Sequence, residues 1–252
     1  MPSWIHWTFP IAYHGLVDQG ALEKHFIDIE LNRWSVDTYW ARMGVLNSVK
    51  AALPDMKGTI LDVGCGRSPY KKLTMSAPSE AEKYLGLDFA NPQYTAKPDL
   101  EWQGGPIPLP DNAVDFAVAT EVLEHSPDPG GVLKEMCRVT APGGSMLVTV
   151  PFLWPLHDVP YDEFRYTPFS LKRLIEQAGY RRVEVKALGG WDASLASMLG
   201  LWVRRREIGD PWRGILERIV FVIYKKLLAA DRPPTEFTSN VMITGLSARA
   251  WK

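Results

Sequence analysis

The stretch Thr59-Ile60-Leu61-Asp62-Val63-Gly64-Cys65-Gly66 decides how this chain folds. Ile60, Leu61 and Val63 form the apolar, partly β-branched run expected of a parallel strand covered on both faces. Gly64 and Gly66 then let the backbone turn sharply and bring bare amides close to a ligand. Asp62 sets a carboxylate at the carboxyl end of the strand, where open α/β sheets bind their ligands. Two absences narrow the ligand. No Gly-Lys-Ser/Thr follows, which excludes a nucleoside-triphosphate loop. Arg67-Ser68-Pro69 stands where a third glycine would complete a dinucleotide fingerprint.

Four more motifs follow in order. Tyr84-Leu85-Gly86-Leu87-Asp88 ends a second strand on an acid. Leu109-Pro110-Asp111-Asn112 turns into the strand Asp115–Thr120. Glu121-Val122-Leu123-Glu124-His125 comes next, and Arg138 to Gly144 reads RVTAPGG. Together with the opening stretch, and over about half of the chain, these motifs resemble a class I S-adenosylmethionine-dependent methyltransferase of the type 11 kind. The resemblance implies an α/β fold: a Rossmann-like seven-stranded sheet with helices on both faces. It also implies S-adenosyl-L-methionine as cofactor and S-adenosyl-L-homocysteine as product. Asp62, Gly64, Cys65 and Gly66 would line the cofactor, and Thr120 and Glu121 would face its methionine part. Asp88 can accept from both ribose hydroxyls, as acids at that position do in other nucleoside-binding folds. Where many relatives meet the adenine with aspartate, this chain offers Gln103, or Glu101 or Asp99 in another register.

Glu121, Glu124 and His125 fall at i, i+3 and i+4. A helix would put all three on one side, where two carboxylates and an imidazole can hold a divalent metal such as Mg. In metal-free relatives the same tract is structural.

Composition bounds the rest. At 46% hydrophobic and 23% charged, 252 residues suit one soluble α/β domain with an insertion, or a domain and a half. A net charge of −1 offers no global field for nucleic acid, so no nucleic-acid partner is expected. An Asn/Asp-Pro-Pro-aromatic tract, the mark of nucleic-acid amine methylation, is absent after the fourth strand, so O-methylation is expected ahead of N-methylation of a small amine. The two cysteines, Cys65 and Cys137, make no disulfide framework, and the start carries no signal-like core, so a cytoplasmic protein is expected. No window reaches the roughly 18 apolar residues of a spanning helix.

Residues 1–56 read as an N-terminal helical cover: an irregular arm to residue 20, then helix over 21–52. In that helix Leu22, Phe26, Ile29 and Trp34 form one apolar series, and Tyr39, Met43, Leu46 and Val49 another. Tyr39, Trp40 and Arg42 are candidates to cover the cofactor. The core spans 57–190, with strands near 59–63, 84–88, 100–103, 115–120, 145–150 and 183–188. Helices fall near 70–75, over 128–139, and from a Ser170 cap to Glu176.

The stretch from Pro151 to Pro168 is proline-broken yet rich in aromatics, and it leaves the carboxyl end of the fifth strand. Loops of this kind are usually functional. His157 is the expected general base, since an imidazole ordinarily titrates near ~6.5. Asp158, Asp162 or Glu163 would orient its ring. Arg165 would clamp a carboxylate or phosphate, and Tyr161 and Tyr166 would stack on an acceptor ring. This loop resembles those of methyltransferases from polysaccharide and natural-product gene clusters, which implies a small-molecule or glycan acceptor. Residues 191–235 form a helical insertion in which Lys and Arg outnumber Asp and Glu. Its apolar run Ile219–Tyr224, followed by Lys225-Lys226, suits either a core or homodimer helix, or peripheral contact with a membrane surface or a lipid-linked acceptor. Residues 236–252 hold the closing strand, expected from Asn240.

Overall fold

The structure, a computed structural model, describes residues 19–89, 97–209 and 212–252. The irregular N-terminal arm expected to residue 20 therefore lies almost wholly outside the described residues. Seven strands form one sheet: β1 (Lys57–Val63), β2 (Glu80–Asp88), β3 (Leu100–Glu101), β4 (Val114–Thr120), β5 (Thr140–Pro151), β6 (Arg182–Ala187) and β7 (Gly245–Trp251). Their order is β3-β2-β1-β4-β5-β7-β6. β7 runs antiparallel to both neighbours, while the pairs from β3 to β5 are parallel.

Side chains alternate across this sheet with the period of two that a pleat demands. Leu61, Ala117, Ala119, Met146 and Val148 pack on one face with residues of α4 (Pro129–Val139) and α5 (Pro168–Gln177). Ile60, Phe116, Val118 and Leu147 pack on the other with Leu46 and Val49 of α2 (Tyr39–Ala52). Both faces are thus covered, and the central strands read as near-continuous apolar runs for that reason.

Several boundaries differ from expectation. The helix expected over 21–52 is two helices, α1 (Gln19–Phe26) and α2. Between them the Asn32 side chain accepts from the backbone N–H groups of Trp34 and Ser35, an alternative to helical bonding that asparagine readily supplies. α5 is capped by Thr167, whose hydroxyl accepts from Ser170 N–H, with Pro168 at the first helical position; Ser170 is not the cap. β7 begins at Gly245, not Asn240. A four-residue helix, α3 (Lys71–Thr74), follows the glycine turn.

The insertion is a hairpin of α6 (Trp191–Arg205) and α7 (Trp212–Ala230). Val36, Ala196, Val203, Val220 and Tyr224 form its private core. Buried Asp231, just past α7, accepts from the N–H groups of Gly190 and Ala193 and so caps the start of α6. A second tie is Arg204 to Glu217 at 2.6 Å.

Candidate active site

Apart from Tyr39, Trp40 and Arg42, the expected site residues lie at or just beyond the carboxyl ends of β1 to β5. At the end of β1 the chain turns through Gly64 and Gly66, both at positive φ. A Cβ on Gly64 would stand 2.5 Å from Val122 Cγ2, so the turn has no room for a side chain there. Asp88 ends β2 and accepts from Gly66 N–H at 2.6 Å and Phe89 N–H at 2.7 Å. Asp62 lies beneath the turn and accepts from the Tyr84 hydroxyl. Burial pushes its carboxyl from 3.8 up to about 7, the Tyr84 bond resisting and the charge of Asp88 adding to the rise. Burial raises Asp88 as well, against its two backbone bonds. The Cys65 thiol is also pushed up by burial, which makes it an inert wall of the turn. Gln103 is exposed just beyond β3, one residue after Trp102, whose N–H reaches the Asp88 carbonyl. Asp99 accepts from Gly86 N–H, and Glu101, like Gln103, is exposed.

Tyr39, Trp40 and Arg42 sit in the first turn of α2. Tyr39 packs against the hairpin core, a Cβ on Gly189 would meet the Trp40 indole, and Arg42 reaches His25 at 2.7 Å. Tyr39 and Trp40 thus pack toward the hairpin side, and Arg42 toward α1.

Thr120 ends β4, and Glu121 follows at a φ of 55°. That left-handed residue breaks the chain direction, and Leu123–His125 continue as a single 3-10 turn. The expected helix face of Glu121, Glu124 and His125 therefore does not form. Glu124, His125 and His157 are brought together instead, with potential ligand atoms all within 4.8 Å of one another. His125 Nε2 lies 3.8 Å from Glu124 Oε1 and 3.6 Å from Asp158 Oδ2. The two imidazoles meet edge to face, centroids 4.7 Å apart.

Tautomers follow from the partners. His125 Nδ1 lies 3.2 Å from the Tyr161 carbonyl, which can only accept, so Nδ1 carries the proton and Nε2 a lone pair. His157 Nδ1 lies 3.1 Å from Asp162 Oδ2. Burial pushes Asp162 up, but Arg165, the His157 N–H and the His157 ring overturn this and hold it at about 2. An ionised Asp162 accepts from Nδ1–H, which leaves Nε2 of His157 as the basic nitrogen. Asp162, not Asp158, is thus the residue that orients the ring.

Arg165 grips Asp162 with both terminal nitrogens, at 2.5 Å and 2.7 Å, and donates to the Phe164 carbonyl at 2.9 Å. Its expected role as an acceptor clamp gives way to one of fixing the loop. Tyr166 is likewise buried, its hydroxyl on the Leu123 carbonyl at 2.7 Å, and offers no stacking face.

The electrostatics of this end are acidic. Burial pushes Glu121 up to about 7, against the pull of the Thr149 hydroxyl and Arg165. Glu124, fully buried, is raised well above its ordinary 4.5 by burial and then by Glu121, and neither carboxyl oxygen has a hydrogen-bond partner. Burial, and then the neighbouring His157, lowers His125 to about 4. A pocket of ≈ 250 Å³ opens beside the cluster, lined by Phe152, Trp154, Leu156 and the 162–165 segment.

Comparison with known proteins agrees with this fold. A family model described as a methyltransferase domain matches residues 61–148. A protein of Mycolicibacterium smegmatis described as a probable S-adenosylmethionine-dependent methyltransferase is 28% identical over 196 residues, 70% of this chain and 75% of that one. An uncharacterized methyltransferase of Mycobacterium bovis is 31% identical over 105 residues, where the match spans 38% of this chain and only 40% of the relative. Among solved structures, an S-adenosylmethionine-dependent methyltransferase of Archaeoglobus fulgidus covers 92% of this chain and 99% of its own, with a TM-score of 0.53 at 17% identity. At that identity the likeness is one of fold.

Proposed function

Because the chain belongs to the class I S-adenosylmethionine-dependent methyltransferases, we propose that it methylates a hydroxyl of a sugar, glycan or small natural product, with His157 as general base. The residues present fit the cofactor. Each oxygen of Asp88 spends one lone pair on a backbone amide and keeps another for a ribose hydroxyl. The acids around the glycine turn suit a ligand of net positive charge. When bound, the sulfonium supplies the methyl group and a thioether leaving group; the chain positions the acceptor and takes its proton.

The observation that carries the base assignment is the His157–Asp162 pair. Asp162 is buried, ionised and locked by Arg165, so it holds the imidazole with Nδ1 protonated and Nε2 free. A hydroxyl seated against the aromatic pocket can pass its proton to that nitrogen as the methyl arrives.

A second reading rests on Glu124, whose buried oxygens lack any partner. Glu124, His125 and His157, with Asp158 beside them, would hold a divalent cation, which would favour the ionised form of a bound hydroxyl. Two imidazoles suit a first-row transition ion better than magnesium. His157 would then be a ligand and not the base.

One set of measurements tests both. Calorimetry with S-adenosylhomocysteine should show binding; its absence ends the reading as an active transferase. Purified protein is then screened against sugars, phenols and amines by release of the homocysteine product. His157→Gln should lower kcat by about 10²–10⁴-fold with little change in cofactor affinity. Activity that survives exhaustive chelation excludes the cation, and activity lost to chelation and restored by one added metal replaces the base with it. Turnover of amines alone would refute O-methylation.

A further inference from the structure

The hairpin carries more apolar surface than its own packing uses. Among the described residues, nine of the fourteen exposed large apolar side chains lie on α6 and α7. On α6 they are Trp191, Leu195, Met198 and Trp202, at steps of four, three and four. On α7 they are Trp212, Ile215, Ile219, Val222 and Ile223, at steps of three, four, three and one. Each set forms a single stripe by helical spacing. On α7 that stripe lies opposite the buried Glu217, Val220 and Tyr224. The helix is therefore apolar on two sides, although the protein's core covers only one.

The charge around these stripes is in positive excess. Arg206, Arg218, Lys225 and Lys226 are exposed and form no ion pair among the described residues. Of the hairpin's described acids, Glu217 is spent on Arg204 and Asp231 as the cap of α6, which leaves half-buried Asp192 in the first turn of α6 and exposed Glu207 just past its end. By helical geometry Arg218 and Lys225 flank the apolar stripe of α7, about 100° to one side, and Lys226 ends it. Tryptophans stand near the ends of both stripes, as side chains with an apolar body and a polar edge do at a water–lipid boundary. No described helix is long and apolar enough to cross a membrane. α7, about 28 Å long, has instead the pattern of a helix lying in the interface.

We propose that the exposed face of the α6–α7 hairpin docks on the surface of an anionic lipid bilayer. A second copy of the chain fits the face less well. A two-fold pairing sets each patch against itself and would bring Arg206, Arg218, Lys225 and Lys226 toward their own counterparts, with Glu207 the one fully exposed acid of the hairpin, among the described residues, to offset four cations. Phosphodiester headgroups complement the cations, and acyl chains take the apolar stripe. The docked face also adjoins the candidate site. The Arg205 guanidinium lies 5.0 Å from the Trp154 ring centroid, and the same loop exposes Leu156 and Val159. Resting on the reading of that site as a methyl-transfer centre, the geometry points to an acceptor carried on a lipid anchor, presented to the loop at the headgroup level.

The test is co-sedimentation of the full chain with vesicles of phosphatidylcholine alone and with added phosphatidylglycerol. The expected result is binding that needs phosphatidylglycerol and weakens with salt, with a blue shift of tryptophan emission. Arg218→Glu with Lys226→Glu should lower affinity for the anionic vesicles about tenfold or more. Ile219→Glu with Ile223→Glu should abolish binding, while circular dichroism and homocysteine-product binding stay as in the parent. Failure to sediment with either vesicle overturns the proposal, as does binding that neither double variant changes. A dimer in solution that Ile219→Glu dissociates, with no vesicle binding, assigns the face to self-association and also overturns it. These readouts need no turnover, so they stand or fall apart from the methyl-transfer reading.

Discussion

Asp62→Asn should make the empty protein more stable at high pH while spoiling its site. Asp62 is 5% exposed, bonded to Tyr84 and close to Asp88. Burial lifts its carboxyl to about 7, whereas in the unfolded chain it titrates near 3.8. Between those values the folded state holds a proton that the unfolded state has released, so stability falls as pH rises. The full difference amounts to ~4 kcal/mol, reached once pH passes 7. Asparagine keeps an acceptor for the Tyr84 hydroxyl but never ionises, so this loss vanishes. Urea unfolding of both proteins across pH 4–8 is the assay. The stability of Asp62→Asn relative to the parent should climb by a few kcal/mol over that range, most of it between pH 4 and 7. Cofactor affinity should move the other way, because a positively charged ligand draws Asp62 into its ionised form. Calorimetry of the parent at pH 6 in two buffers of different ionisation enthalpy should reveal a released proton. Parallel stability curves for the two proteins would refute the reasoning, since Asp62 would then be ionised throughout or of no consequence.

Asp162→Asn removes the charge that Arg165 and His157 share. It should cost about 3 kcal/mol in chemical denaturation and lower kcat by about 10²-fold, with KM for the cofactor little changed; a stability loss with normal kcat would reduce the pair to a loop fastener. Gly64→Ala places a Cβ at a φ of 68° and 2.5 Å from Val122, so about 2–4 kcal/mol should be lost, and an unshifted melting temperature would contradict this turn geometry.

What could be read in advance follows from how far each signal travels along the chain. β1, β4 and β5 are covered on both faces, and such strands announce themselves as unbroken apolar runs. Local rules failed where hydrogen bonds leave the element that the pattern suggests. Val241, Ile243 and Thr244 have strand-like side chains, yet the Thr244 carbonyl is taken by the N–H groups of Phe152 and Leu153. That segment is tied to the acceptor loop, and the ladder with β5 starts at Gly245. Likewise Leu22, Phe26, Ile29 and Trp34 form one apolar series, but α1 stops at Phe26, and the turn around Asn32 that follows leaves Trp34 56% exposed. The Glu121, Glu124 and His125 spacing assumed helical dihedrals that Glu121 does not adopt. His157 joins Glu124 and His125 from 32 positions beyond His125 through a loop with no period, so only the fold could reveal that cluster. The choice among Asp158, Asp162 and Glu163 as orienting acid was open for the same reason.

The carboxylates give the site its logic. Asp62, Asp88, Glu121 and Glu124 converge at the ends of adjacent strands, and burial raises all four. Among the described residues, the guanidinium that eases Glu121 and Glu124 is Arg165, which is already committed to Asp162. A protein selected for stability alone would replace such acids with neutral groups, since each unpaired buried carboxylate must either hold a proton or bear its desolvation cost. The arrangement makes sense as half of a charge pair whose other half arrives with the ligand. A cation bound at the glycine turn would lower Asp62 and Asp88, and one at Glu124 would lower Glu121 with it, so binding and proton release are linked at both ends of the cleft. The same linkage gives a reason for the different build of the proposed base. As a base, His157 would need a free nitrogen whatever the neighbouring acids do, and Asp162, ionised and locked by Arg165, fixes its tautomer independently of their titration.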